Sequence, residues 1–173
     1  MKTRLVPAWA SDRILAAIYS VDSSSLMDWQ ARHFPVDIFV GLADRMDDLV
    51  RSARLVAPAM VREELDKVGT AGLKRWTDQH ADIFVRTADL LVPAQTIQGQ
   101  FPGLLDPKAE FEEADAYVIA LAQGHDGIVV TQETPASEKR NPRRTHFIPD
   151  VCRDLGIPCI NLLGLIRREG WRF

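Results

Sequence analysis

Cysteine is scarce in this chain: only Cys152 and Cys159 occur among 173 residues. Two cysteines cannot build the disulfide scaffold of a small secreted domain. Their spacing matches no zinc-ligand pair, and no histidine motif accompanies them. They read as two reduced core thiols of a cytoplasmic protein. Long apolar runs are also missing. None approaches the ~18 residues that a helical membrane span requires, so no membrane partner is expected. Repeats and low-complexity tracts are absent, which excludes solenoids and linker-like chains. A large excess of one charge is absent too. The formal net charge of −3 does not suggest a sequence-independent duplex binder.

What is present is an ordinary globular balance, with 46% hydrophobic and 26% charged residues. The length suits one domain with a proper core. Residues 1–13 mix charges with Pro7 and Trp9, and the apolar Ile14–Ile18 is too brief for a signal peptide. We read 1–13 as a flexible leader or an artefact of start-site choice, and 14–173 as a single domain. Charge is segregated locally. Lys139, Arg140, Arg143 and Arg144 cluster with Asn141, Pro142 and His146, and Arg167, Arg168 and Arg172 add positive charge later. Acids gather in Asp44–Asp48 and Glu110–Asp115.

Apolar periodicity alternates between short strand-like runs and helices. Leu15–Val21 reads as a strand ending at Asp22, with Ser23–Ser25 able to cap a following helix. Val36–Ser52 reads as an amphipathic helix with Ile38, Leu42, Met46 and Leu49 on one face. Arg54–Ala57 is a strand, and Pro58 opens a helix that Gly69 stops. Leu73–Ala81 is helical, Ile83–Val85 a short strand, and Ala88–Gln100 a helix broken by Pro93. Phe111–Gln123 is a strong helix around the apolar block Tyr117–Ala122. Gly124 and Gly127 turn the chain into the buried strand Ile128–Thr131. Residues 134–147 form a polar, basic loop. Pro149–Leu155, Pro158–Asn161 and Leu162–Arg168 read as helix, strand and helix. The alternation predicts an α/β fold with a central, mostly parallel sheet flanked by helices. Ligands in such folds sit beyond the carboxyl ends of the strands.

Acids fall near that edge. Asp22 directly follows the first strand, where an N-cap is the alternative role. Glu64 lies roughly 70° from the centre of the Val61, Leu65 and Val68 stripe while Glu63 lies almost opposite, so Glu64 is the pocket candidate. Asp115 abuts the core block of its helix. Glu113 would share its environment only if regular helix begins after it. Glu133 stands two residues past Thr131. Asp150 reads most simply as an N-terminal helix acid, with a metal role as the alternative. Ser24 and Thr131 are candidate polar support. Carboxylates in this number suit hard cations such as Mg2+ or Mn2+, which can assist phosphodiester hydrolysis.

Four segments in order resemble the PIN-domain family, which includes VapC-type toxin ribonucleases. Tyr19-Ser20-Val21-Asp22-Ser23-Ser24-Ser25-Leu26 is like the family's first strand and aspartate. Pro58 through Val61-Arg62-Glu63-Glu64-Leu65 is like its glutamate followed by leucine. Glu113-Ala114-Asp115-Ala116-Tyr117-Val118-Ile119-Ala120-Leu121-Ala122 is like its central aspartate helix. Val129-Val130-Thr131-Gln132-Glu133 is like a strand ending in Thr-x-Asp, with glutamate where the family has aspartate. The chain looks most like a PIN-like subgroup that ends in Ile148-Pro149-Asp150-Val151-Cys152 and Gly170-Trp171-Arg172-Phe173.

The resemblance implies a three-layer PIN-like fold. It implies a Mg2+- or Mn2+-dependent endoribonuclease with Asp22, Glu64, Asp115 and Glu133 as catalytic metal ligands, and Glu113 or Asp150 as substitutes for the last. It further implies an RNA substrate, with tRNA the candidate, an antitoxin partner and dimerisation. Lys139, Arg140, Arg143 and Arg144 would engage the RNA backbone. The helix Val36–Ser52 reads first as cover for the sheet, with an interface as the alternative. A catalytically inactive PIN-like RNA- or protein-binding module is the rival reading, because of Glu133. A phosphatase of the haloacid-dehalogenase type is excluded by Ser24, where a second aspartate is needed. An Asp-x-Ser-x-Ser adhesion site is excluded by Leu26.

Overall fold

A computed structural model describes residues 17–110 and 112–173; the expected leader 1–13 lies outside them. Three apolar or small residues, Tyr19–Val21, form β1, and all three are buried. Helix α1 (Ser23–Met27) follows at once and runs into a π-helical turn over Asp28–Arg32. Next come α2 (Val40–Arg51), β2 (Leu55–Pro58), α3 (Ala59–Val68), α4 (Ala71–Gln79), β3 (Phe84–Val85) and α5 (Thr87–Gln100). The chain ends with α6 (Asp115–Gly124), β4 (Ile128–Val130), α7 (Ile148–Leu155), β5 (Cys159–Ile160) and α8 (Leu162–Arg168).

The strands form a five-stranded sheet in the order β3-β2-β1-β4-β5, and every neighbouring pair is parallel. Helices flank it, so the fold is α/β and compatible with the three-layer PIN-like arrangement. Among the described residues no helix is long and apolar enough to cross a membrane. The order reverses around β1. Strands β2 and β3 grow from one side, while β4 and β5 lie on the other. The carboxyl ends of β1 and β4 therefore flank the switch point, where such sheets hold ligands.

Helix α6 is the centre of the core. Residues Ala116 to Ala122 are all buried, and the helix packs on β1, β2, β4 and α5. A helix apolar on every side must be enclosed in this way. The tight entry into β4 needs Gly127. A Cβ there would stand 2.7 Å from the Ile18 carbonyl oxygen. Gly156 ends α7 in the left-handed conformation, at φ 70°, which glycine adopts without cost.

Several boundaries depart from expectation for local reasons. Helix α2 begins at Val40, not Val36. Pro35 instead starts a turn, its carbonyl accepting the Ile38 and Phe39 N–H groups, and Ile38 is left exposed. Helix α5 passes through Pro93 unbroken. Pro93 and its neighbours Leu91 and Val92 face solvent, where water can satisfy the carbonyl that the missing N–H leaves free. Helix α6 begins only at Asp115, so Glu112 and Glu113 precede regular helix. Thr70 caps α4 by accepting the Leu73 N–H at 3.2 Å, so that helix starts at Ala71. Cys152 is buried and Cys159 half-buried, both as free thiols.

Candidate metal centre

The β ladder fixes the site's backbone. One residue past β1, the Asp22 N–H donates to the Val130 carbonyl at 2.9 Å. One residue past β4, the Thr131 N–H donates to the Ile160 carbonyl at 3.0 Å. Asp22 and Thr131 thus stand side by side on the rigid carboxyl edge of the sheet.

Asp22 holds the N-cap position of α1, yet its side chain does not cap that helix. Its Oδ2 instead accepts from Ser24 Oγ at 2.6 Å and Thr131 Oγ1 at 3.0 Å. Each hydroxyl is itself oriented by a backbone donor. The Gln132 N–H gives to Ser24 Oγ at 3.0 Å, and the Glu133 N–H gives to Thr131 Oγ1 at 3.1 Å. A hydroxyl has one proton, and accepting from the backbone turns that proton toward Asp22. The carboxylate is therefore clamped through one oxygen, and Oδ1 has only a 3.5 Å approach from Ser23 Oγ.

Ser23 is committed elsewhere. Its Oγ donates to Glu64 Oε2 at 2.7 Å, while the Ala114 N–H donates to Glu64 Oε1 at 3.3 Å. Glu64 is half-buried and Glu63 exposed, as the helix geometry of α3 predicted. Glu64 thus reaches from α3 toward the start of α6, and Ser23 ties it to the Asp22 segment.

Asp115, Glu133 and Glu113 meet on one cation. Arg144 Nη1 lies 2.6 Å from Asp115 Oδ2 and 3.5 Å from Glu113 Oε2, and its Nη2 lies 2.9 Å from Glu133 Oε1. The Arg144 side chain is only 10% exposed. It also donates to the Leu104 carbonyl at 2.8 Å, and its guanidinium lies 4.7 Å from the centre of the Phe147 ring. Glu133 Oε2 accepts the Ile148 N–H at 3.0 Å.

Burial drives the ionisation of these acids. It raises Asp115 well above the usual carboxylate range, and the charges of Glu133 and Asp22 push the same way against Arg144. Glu133 is raised chiefly by burial, against the Ile148 N–H and Arg144. Glu64 is raised by burial first, with Asp22 and Glu113 adding repulsion and the Ser23 hydroxyl opposing it. The acids thus feel one another across the cluster. Asp22, Glu64, Glu113, Asp115 and Glu133 stand against one buried guanidinium, a surplus of negative charge that suits a hard divalent cation in donor chemistry. The gathering is incomplete as it stands. Among the described residues no three acidic, histidine or cysteine side chains are close enough together to hold a metal ion. Arg144 occupies the space between Asp115 and Glu133. Cavities open elsewhere, such as one of about 230 Å³ lined by Ala122, Asp126, Leu155 and Pro158.

The remaining candidates separate. Asp150 is not brought into the cluster. Its Oδ2 accepts the Phe147 and Ala136 N–H groups at 3.0 and 2.9 Å, pinning the 134–147 loop to α7. Lys139 lies over the Phe147 ring at 4.2 Å. Arg140 and Arg143 are exposed and, among the described residues, make no ion pair. Arg144 points inward to the acids rather than outward with them. Sequence reasoning missed Gln132 and Asp28. Gln132 donates through its side chain to buried Asp28, accepts the Leu162 N–H at 3.0 Å, and through its own N–H orients Ser24. A polar residue just past a buried strand was the available signal.

The raised carboxyls make a stability prediction. A folded-state value above the unfolded one means the contribution is intact at low pH and lost as pH rises through the folded value. With divalent cations chelated, wild type should lose stability relative to Asp115→Asn as pH climbs above the ordinary carboxylate range, because burial raises the Asp115 carboxyl. Paired thermal melts across that range test it, and parallel profiles would remove burial of an ionised Asp115 as a cost.

Residues 19–173 match the family described as Domain of unknown function (DUF4411), and the chain belongs to it. No curated protein matches the chain.

Proposed function

We propose that this member of the DUF4411 family is a Mg2+- or Mn2+-dependent endoribonuclease of the PIN-like type. The observation that carries the reading is the clamped Asp22. It sits on the sheet's switch point with one oxygen held by two oriented hydroxyls, beside the acids of three other segments. Asp22, Glu64, Asp115 and Glu133 would hold the cation, with Glu113 as an additional acid. A divalent cation bound there supplies activation of water and stabilisation of charge on a phosphodiester. Ser24 and Thr131 keep the Asp22 carboxylate in one orientation. Ser23 and the Ala114 N–H do the same for Glu64, so neither carboxylate must be ordered when the cation arrives. Asp150 holds the basic loop. Arg140 and Arg143, exposed and without ion-pair partners among the described residues, would track the sugar–phosphate backbone. A toxin's role, with an antitoxin partner, a tRNA target, dimerisation and a cytoplasmic location, belongs to the same proposal and rests on the motif resemblance.

Incubation of the purified chain with a labelled single-stranded RNA tests the activity. Internal cuts leaving 5′-phosphate ends should appear with Mn2+ and vanish with a chelator. Replacing Arg140 and Arg143 together with glutamine should weaken binding of that RNA and lower the steepness of its salt dependence by about 1.4, roughly 0.7 for each single-strand phosphate no longer neutralised. An unchanged salt slope would remove both residues from the RNA path.

One observation favours the second reading, a binding module without catalysis. Arg144 already neutralises part of the acidic edge, as a permanent substitute for a metal would. Such a module would bind no Mn2+ through Asp22.

A further inference from the structure

We infer that Arg144 is an intramolecular stand-in for the cation: it closes the acidic edge in the metal-free protein and leaves Asp115 and Glu133 when a divalent ion binds. The inference rests on the metal reading above and names how that site is regulated. Arg144 is the only residue among those described that spans Asp115, Glu113 and Glu133 at once. A guanidinium's rigid planar fork presents donors to two carboxylates together in one fixed geometry. Its hydrogen bonds to Asp115 Oδ2 and Glu133 Oε1 occupy oxygens that a cation would need. A divalent ion in the same place would also face a buried positive charge. Metal and guanidinium therefore exclude one another.

The segment that carries Arg144 is built to be held by a few points. Residues 139–144 are neither helix nor strand, and Arg140, Asn141, Pro142 and Arg143 are exposed. Beyond them, the His146 N–H donates to the Gly103 carbonyl at 3.0 Å. Thr145 and His146 lie against Gly103, where a Cβ would come within 1.9 Å of Thr145 Oγ1. The Arg144 bonds to the acids and to Leu104 are thus the inner anchor of the exposed stretch 140–143. Withdrawing the side chain leaves the sheet and helices in place. It also sets a third cation beside Arg140 and Arg143.

Mn2+ calorimetry on wild type, Arg144→Gln and Arg144→Lys tests the inference, with hydrogen exchange of residues 134–147 as a second readout. Arg144→Gln should bind Mn2+ at least about 10-fold more tightly than wild type, with Arg144→Lys between them, since lysine keeps the charge and loses the fork. Mn2+ should raise the melting temperature of Arg144→Gln more than that of wild type, because tighter binding at a fixed ligand concentration stabilises more. In wild type Mn2+ should speed exchange in residues 139–146. If Arg144→Gln is too unstable to titrate, the lysine variant and the wild-type exchange decide. Equal Mn2+ affinity in all three with unchanged exchange would overturn the inference and leave the metal site standing. No Mn2+ binding in any of them would overturn both and favour the binding module.

Discussion

Asp115→Asn should lower Mn2+-dependent RNA cleavage by at least about 100-fold, the upper end of what loss of a merely supporting partner costs a metal site, while the protein stays folded. Asp115 begins α6 on the buried side of the acidic edge, and burial together with Glu133 and Asp22 holds its carboxyl well above the usual range. An amide of the same shape removes that repulsion. It leaves Arg144 an amide oxygen in place of a charged acceptor, weakening that hydrogen bond, while Glu133 still accepts from Nη2 at 2.9 Å. The two effects oppose each other, so in mildly acidic buffer the metal-free variant should melt within about 1 kcal/mol of wild type, the scale of one net hydrogen bond, and become the more stable of the two as pH rises. Stability and activity thus part company, which a structural acid would not produce. Steady-state cleavage assays beside thermal melts make the check. Undiminished cleavage in the variant removes Asp115 from the site.

Glu169→Ala should be the reverse case, a large loss of stability with metal binding retained. Tyr19 lies in β1 at the end of the strand away from Asp22, and its hydroxyl donates to Glu169 Oε1. Arg54 grips the same carboxylate with both nitrogens, at 2.9 and 2.6 Å, and its Nε donates to the Ala17 carbonyl at 3.0 Å. The Arg54 and Glu169 side chains are 19% and 12% exposed. Burial, and then the bond to Glu169, pushes the Tyr19 phenol far up from its usual value. Truncating Glu169 leaves a largely buried guanidinium unpaired and a buried hydroxyl without an acceptor. Removing one partner of a buried pair costs about 3–5 kcal/mol; partial exposure puts the expected loss near 3 kcal/mol, or roughly 6–12 °C in melting temperature for a domain of this size. Glu169→Gln, which keeps an acceptor, should lose about half as much. Calorimetric melts give the stability, and a Mn2+ titration of the same sample gives the site. A melting temperature within about 2 °C of wild type would mean that the clasp is not holding the C-terminal helix to the sheet.

The sheet edge was readable in the sequence because two of its signals are one-dimensional. An apolar strand followed at once by an acid marks Asp22, and a stripe of valine and leucine on α3 separates Glu64 from Glu63. Both depend on period alone. The start of α6 was not readable. Glu112 and Glu113 look like first-turn acids, yet Glu112 accepts from the Tyr117 hydroxyl at 2.6 Å and Glu113 accepts the Asp106 N–H at 3.0 Å. Glu112 thus bonds forward to the first turn of α6 and Glu113 back to the preceding loop, both from outside the helix. Ile38 fits the helical stripe of α2 but falls in the turn that Pro35 begins. The direction of Arg144 had no signal of its own. A run of basic residues in a loop carries no period, so only the folded acids could say which of them turns inward. Ser23 illustrates the same limit, since a serine after Asp22 reads as capping chemistry and instead holds Glu64, forty-one residues away.

Cleavage and the role of Arg144 both turn on whether the carboxyl edge of β1 and β4 takes a divalent cation. Crystals soaked in Mn2+ and measured at the manganese absorption edge test this most directly. An anomalous peak should touch Asp22 and Asp115 oxygens at about 2.0–2.2 Å, near the distance of small hard divalent ions, with the Arg144 guanidinium withdrawn from Asp115. Saturated crystals with no peak at that edge, and Arg144 still on Asp115 and Glu133, would contradict it.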